Sequence, residues 1–321
     1  MKRICLIFLL LAMTATAHAA DRRWQAAIET ADLEAAQQLL ADGVEMNVHI
    51  HGVESRHSGS VTTPLNWIFE QRDLAGTSLP WTMIEAGADP NFSAPDGTTP
   101  LYVVAAKGNR DAVRDLLHYD VDVNAAAEGG WTPVLATANG QGLGSHRLEI
   151  LQRLAAAGAD MNAQQEDGWS VLTLLANREE VELIYNLLAD RQIDIDPNTQ
   201  INSGWSLLTI YVNQNDNPRF LRQILDLSHR DINVNLKNGR GETALDIAMI
   251  RNHTNSAQVL RDRGGLQGAN VPDAPPTQTA STEEESSSGS GCSIGRGPFE
   301  LLVLALAALL LSRRRMGHIK A

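Results

Sequence analysis

Three histidines, His49, His51 and His57, stand close together and form the one metal-like cluster in the sequence. Alternate residues of an extended strand share a face, so His49 and His51 would point two imidazoles the same way, which suits a transition metal. Imidazoles titrate near pH ~6.5, so the group suits equally a pH-responsive contact or a solvated polar loop. No other reactive motif is spelled out. The chain has no Gly-x-Ser-x-Gly, no His-Glu-x-x-His and no phosphate-binding loop, and Ser60 and the scattered histidines set no triad order. No catalytic residue, cofactor or small-molecule substrate is therefore expected, and the chain reads as a non-enzyme.

A second group is aromatic. Aromatics make up 5% of the 321 residues, yet six of them are Trp. Trp131, Trp169 and Trp205 occupy one position in three successive copies of a short pattern, Gly130-Trp131-Thr132-Pro133-Val134, Gly168-Trp169-Ser170-Val171-Leu172 and Gly204-Trp205-Ser206-Leu207-Leu208. The pattern extends to Gly97-Thr98-Thr99-Pro100-Leu101 and Gly241-Glu242-Thr243-Ala244-Leu245, with glycine spacings of 33, 38, 36 and 37. A fixed period of this size means stacked supersecondary units. Units a helix diameter apart, roughly 10 Å, would align the rings as a column. Trp is enriched in binding hot spots, so the column reads as a partner-recognition stripe, extended by Tyr102 on the neighbouring copy. Packing between copies is the alternative. Trp67 and Trp81 flank the second copy and are assigned to its core.

The elements that must position these residues follow from two more cues. A Leu-Leu-like pair precedes Gly-Ala-Asp-x-Asn, as in Met83-Ile84 with Gly87-Ala88-Asp89-Pro90-Asn91, and in Gly158-Ala159-Asp160-Met161-Asn162. It recurs around Gly43 to Asn47 and at Val121-Asp122-Val123-Asn124, and more loosely at Ile193-Asp194-Ile195-Asp196 and Ile232-Asn233-Val234-Asn235. The last Asn lies 8 residues before the next Thr or Ser in four of six junctions. Thr or Ser is placed to cap a first helix, with Pro at its first position. Val113, Leu116 and Leu117 give a second helix its apolar face. Gly43, Gly87 and Gly158 end second helices in the left-handed region, with Asp120 in the equivalent place. Trp24, Ala27 and Leu33 give the first helices one apolar face, with Asp21, Arg22 and Arg23 outside, as a terminal cap requires.

These residues resemble the ankyrin repeat family, over roughly Asp21 to Gly265. The resemblance implies an all-α solenoid of about seven helix-turn-helix repeats with short β-hairpin fingers, whose finger edge and inner helices bind another protein. The family's usual His after Thr-Pro-Leu is replaced by Asn66, Tyr102, Leu135, Thr173, Thr209 and Asp246, which removes a hydrogen-bond linker. Two insertions stand out. The junction from Asn47 to Thr63 spans 16 residues and carries the His cluster, and the turn Asn139 to Ser145 is rich in Gly.

The ends read as export signals. Residues 1–19 carry Lys2 and Arg3, an apolar run from Ile4 to Met13, and Ala17-His18-Ala19, the pattern of a signal peptide cut after Ala19. Cys5 leaves with it, so no internal disulfide is expected. The repeat domain is expected over 20–268, then a disordered Ser/Thr/Pro/Glu linker over 269–291. Residues 292–321 hold Cys292, an apolar helix from Leu301 to Leu311 and Arg313 to Arg315. The Gly291-Cys292-Ser293 signature, apolar run and basic cluster resemble the MYXO-CTERM and GlyGly-CTERM sorting tails, which implies a transient membrane anchor and, at Cys292, processing or lipid attachment.

The chain's net charge is −12, but the first nineteen residues carry two positive charges and the tail from Cys292 a net of four, leaving −18 on the region between. That argues against nucleic acid and suits either a solvated, solubilising surface or a basic partner. The sequence thus predicts an exported, membrane-held protein-binding module at the periplasm or cell surface. It would act as a scaffold, an inhibitor or an immunity-like neutraliser. A metal or enzymatic role for the His finger, and a structural spacer, are the alternatives.

Overall fold

The computed structural model describes residues 22–27, 32–55, 59–71, 75–140 and 146–272. Residues 1–19, the Gly-rich turn at 141–145 and everything after Pro272, including the expected linker and terminal helix, lie outside the described residues. Among those described, no helix is long and apolar enough to cross a membrane.

A helical stretch at 22–27 precedes α1 (Leu33–Ala41) and a hairpin of β1 (Ile50–Ser55) and β2 (Gly59–Thr62). Helices then alternate as first and second members of pairs: α2 (Pro64–Glu70) with α3 (Leu79–Glu85), α4 (Pro100–Ala106) with α5 (Arg110–Leu116), and α6 (Pro133–Asn139) with α7 (His146–Ala156). The series continues with α8 (Val171–Asn177) and α9 (Val181–Ala189), α10 (Leu207–Gln214) and α11 (Pro218–Leu225), and α12 (Ala244–Ile250) and α13 (Thr254–Asp262). First helices pack in one row from α2 to α12, and second helices from α5 to α13 in another. Helices of seven or eight residues are too short to hold alone in water, so each owes its order to the neighbours it packs on.

Burial matches that account. Residues 133–138, 171–176 and 207–212 of the first helices are buried on every side, between neighbours in their own row and the second row. Thr63, Thr99, Ser170, Ser206 and Thr243 cap their helices as expected, each accepting from the backbone N–H three residues on. The residues that replace the expected His restore much of the missing bonding. Asn66 Nδ2 donates to Thr98 O at 2.8 Å, across to the next copy. Thr173, Thr209 and Asp246 accept from the capping residue's own N–H at 2.8, 2.7 and 2.9 Å, closing capping boxes. Leu135 cannot, and the Thr132 hydroxyl beside it is buried without a partner.

Gly43, Gly87 and Gly158 adopt positive φ of 67°, 108° and 90° where second helices end. Asp120 does not, contrary to the sequence reading: its turn closes through Tyr119 N–H to Leu116 O at 3.0 Å and Val121 N–H to Tyr119 O at 2.9 Å instead. First helices end in left-handed residues that the sequence reading missed, among them Glu179 (φ 60°) and Asn252 (φ 59°). At the start, Trp24 and Ala27 are buried and Arg22 and Arg23 exposed, as expected of a cap, while Asp21 and the side chain of Leu33 lie outside the described residues. The stack runs past residue 268, through a 3-10 turn at Gly268–Asn270.

An asparagine ladder sets the register between copies. Asn91 Oδ1 accepts from Asp122 N–H at 2.8 Å, and its Nδ2 donates to Asp120 O at 2.6 Å. Asn124 does the same to Asp160 and Gly158 at 2.7 and 3.2 Å, and Asn162 to Asp196 and Asp194 at 2.7 and 3.2 Å. Asn198 continues to Asn233 and Asp231 at 2.7 and 2.6 Å, and Asn235 to Leu266 and Gly264 at 2.7 and 3.1 Å. The fifth cue, read as ending at Asp196, therefore runs on to Asn198, and its distance to Ser206 is also 8.

Asn124→Ala removes two inter-copy bonds and should cost about 1–2 kcal/mol in urea unfolding. Glu179→Gly relieves a left-handed conformation and should stabilise by up to about 1 kcal/mol in the same assay.

Candidate partner-binding face

Between each second helix and the next first helix the chain makes a finger whose arms are clasped at the base. Ala127, Gln165 and Ile201 donate their N–H groups to the carbonyls of Trp131, Trp169 and Trp205 at 2.8, 3.1 and 2.9 Å. Neighbouring tips are then joined in a row. Glu128 N–H donates to Asp96 O at 2.6 Å, Glu166 N–H to Gly129 O at 2.8 Å, Asn202 N–H to Asp167 O at 2.9 Å, and Gly239 N–H to Ser203 O at 2.8 Å. This close approach is why glycine precedes each Trp. At Gly168 (φ +85°) a Cβ would lie 2.7 Å from Asn202 N.

The three Trp residues therefore hold equivalent places on consecutive fingers. Each indole is half-buried, with one side packed along the core and the rest open to solvent. Packing, the alternative reading, is thus observed for all three rings, and part of each remains accessible. Tyr102 is placed differently. It stands on α4 rather than on a finger arm, and is half-buried. Burial, with Asp96 adding a smaller effect, pushes its hydroxyl above the ordinary tyrosine range. Asp96, Glu128, Glu166 and Asp167 make the tips beside this column acidic, whereas Lys237 and Arg240 mark the last finger. Trp67 is buried, as expected. Trp81 is half-buried, with edge contact to Phe69 and a parallel stack on Tyr119 at 6.4 Å.

The His finger is a two-stranded antiparallel hairpin, with His51 opposite Val61. His49, just before β1, is already engaged: its ring stacks on Phe92 at 5.0 Å and its Nε2 is 3.0 Å from Ser93 O. His51 is exposed, and His57 lies outside the described residues. Among the described residues no group of three His, Cys, Asp or Glu side chains is placed to hold a metal. His49 thus serves as a contact to the following junction.

Several positioning residues gave no sequence signal. Arg147 is a buried charge, paired with Glu180 at 2.7 Å and donating to Gly140 O at 2.6 Å. Arg230 donates to the carbonyls of Leu188, Asp190, Ile193 and Ile195 at 2.8–3.3 Å, stitching an irregular turn. Tyr211 is buried under Phe220, 4.5 Å between rings, and its hydroxyl has no partner. Burial, and then Glu179, pushes that hydroxyl up to about 12. None of these depends on a periodic pattern, so only the folded neighbours reveal them.

Paired helices, clasped fingers and the asparagine ladder together define the ankyrin-repeat fold. Comparisons agree. Residues 75–165 match a family model of ankyrin repeats in three copies. A protein of Rickettsia felis, described as an ankyrin repeat protein, is 27% identical over 123 residues, which cover 36% of this chain and 52% of that one. The chain thus spans about half the length of the curated relative it matches. A crystal structure of an ankyrin repeat domain from Acinetobacter baumannii AYE superposes with a TM-score of 0.53 at 24% identity, over 63% of this chain and 98% of that one.

Because the buried hydroxyl resists deprotonation in the folded chain, its titration leaves stability unchanged below pH 10 and lowers it as pH rises toward about 12. Tyr211→Phe should therefore match or exceed the parent in urea unfolding at neutral pH, and should flatten the loss of stability between pH 10 and 12.

Proposed function

We propose that the chain is a non-catalytic protein-binding module of about seven ankyrin repeats, the first a cap, that holds a basic partner against its finger row. The observation that carries this reading is the column of Trp131, Trp169 and Trp205, each partly open to solvent and held in one register beside the acidic tips at Asp96, Glu128, Glu166 and Asp167. Indole faces attract cations, most strongly from Arg, and the surrounding carboxylates reinforce that attraction. Tyr102 extends the surface toward the preceding repeat. Binding here needs no bond-making groups, and the role is that of a scaffold, an inhibitor or an immunity-like neutraliser.

The module works outside the cytoplasm in this reading. Its support is the basic-apolar-small pattern of residues 1–19 and the Gly-Cys, apolar and Arg segments of residues 291–315. Cleavage after Ala19, processing at Cys292 and membrane attachment through the terminal apolar run follow from those patterns.

Affinity capture from envelope extracts with the full chain tests both parts. A specific protein should be retained by the parent and lost by at least tenfold with Trp131→Ala or Trp169→Ala, and retention should weaken as salt rises. Equal capture by parent and both variants removes the Trp face from the proposal. Mass spectrometry of the exported chain should show a new N-terminus at Ala20, and an intact N-terminus removes the signal peptide.

A further inference from the structure

The last copy is finished unlike the others. Asp89, Asp122, Asp160, Asp196 and Asn233 open the ladder turns, and each donates its backbone N–H to the ladder Asn before it. In the last turn that place falls to Leu266, whose N–H meets Asn235 Oδ1 at 2.7 Å. Two residues on, where a ladder Asn would follow, stands Gly268, and a Cβ there would run into Gly241 O. The ladder therefore stops, and no further copy can be added to this end in register. On α12, Met249 takes the place of Phe69, Ala105, Ala138, Ala176 and Val212, all fully buried in the stack. Ile250 takes the place of Glu70, Ala106, Asn139, Asn177 and Asn213, and is 65% exposed.

Among the described residues, the large apolar side chains that stand exposed are Met249, Ile250 and Leu266, all on this copy. They lie along one helix: Thr243 Oγ1, at the start of α12, donates to Leu266 O at 2.7 Å, and Gln267 Nε2 reaches Met249 Sδ near its end at 3.6 Å. A terminal copy needs a polar outer face for solubility, and this one puts Ile and Leu where the others carry polar residues or Ala. Cations edge the patch. Arg240 is exposed next to Gly241, which touches Gly268, and Arg251 is exposed next to Ile250. The nearby carboxylates are engaged, Glu242 by Asn238 Nδ2 and Asp246 by the N–H groups of Thr243 and Gly268. The charge of the chain changes sign toward this end: residues 21–203 carry a net of −16, and residues 204–272 a net of +2.

We propose that this end face docks on an anionic lipid surface. Met249, Ile250 and Leu266 enter the headgroup region, and Arg240 and Arg251 meet lipid phosphates. Apolar side chains edged by cations are what interfacial binding uses. Lipid also takes protruding side chains without a matched pocket. The acidic region 21–203 is repelled by the same surface, so only the final copies can approach it. The contact uses neither the Trp fingers nor insertion of the terminal apolar run. It rests on the envelope reading only in requiring a membrane within reach, which the mass of the mature N-terminus tests separately.

Hydrogen–deuterium exchange of the full chain tests this locally, on vesicles of mixed phosphatidylglycerol and phosphatidylcholine and on vesicles of phosphatidylcholine alone. Amides of residues 249–252 and 265–271 should exchange at least about threefold more slowly on the anionic vesicles, and those of residues 97–203 equally on both. Ile250→Asn with Leu266→Asp, which installs residues that other copies carry at these places, should abolish the slowing and leave exchange elsewhere as in the parent. Arg240→Gln and Arg251→Gln should each raise the anionic lipid needed for half the effect about fivefold. Trp131→Ala should change nothing here. The proposal falls if both kinds of vesicle give equal exchange at the two segments, a result that needs no variant. It falls equally if the double variant keeps the slowing. Slowing at high protein concentration without vesicles would overturn it too, by assigning the face to a second copy of the chain.

Discussion

The stack depends on one side chain used twice. Each ladder Asn accepts from a backbone N–H in the next copy and donates to a carbonyl two residues before it, so it reads both position and direction. The side chain that opens each turn then holds the ladder Asn in place, as Asp122 Oδ1 does for Asn124 N–H at 2.9 Å and, in the last turn, Asn233 Oδ1 for Asn235 N–H at 2.9 Å. Hydrophobic burial supplies most of the attraction between copies, but it is non-directional. The amide ladder converts that attraction into a single register, and with it fixes where every finger and every Trp must stand.

This ladder also explains what was legible in the sequence. An element that recurs must repeat its polar spacing, so the 8-residue interval from Asn to the capping Thr or Ser exposed the fold before any coordinates did. The one ladder residue overlooked, Asn198, sits in a copy that lacks the Gly-Ala lead and enters through Asp194-Ile195-Asp196-Pro197, where composition hides the pattern though spacing keeps it. Asp120 erred the other way: a residue tolerant of left-handed backbone occupies a turn that uses none.

The candidate surface was legible in part for the same reason. The Trp residues repeat, and were found by repetition. Their half-burial could not be, because it depends on how closely one finger approaches the next, through glycines such as Gly168 that admit the neighbouring backbone. The His finger shows the opposite limit. Spacing placed His49 and His51 on one face, but a single aromatic neighbour in another junction, Phe92, turned one of the two into a packing contact. Arg147 and Arg230 follow no period, and so are properties of the assembled neighbours alone.

Backbone bonds between adjacent finger tips all point one way: the later copy donates its N–H and the earlier copy accepts. Because the same pair of groups meets at every seam, removing or duplicating one whole copy would rejoin the chain with donor still facing acceptor. A gain or loss of a few residues is tolerated where it falls away from a seam: the copies differ in length, with glycine spacings of 33, 38, 36 and 37, and the seams between them are still made. Such a molecule is free to lengthen or shorten over generations in whole modules, carrying its surface with it.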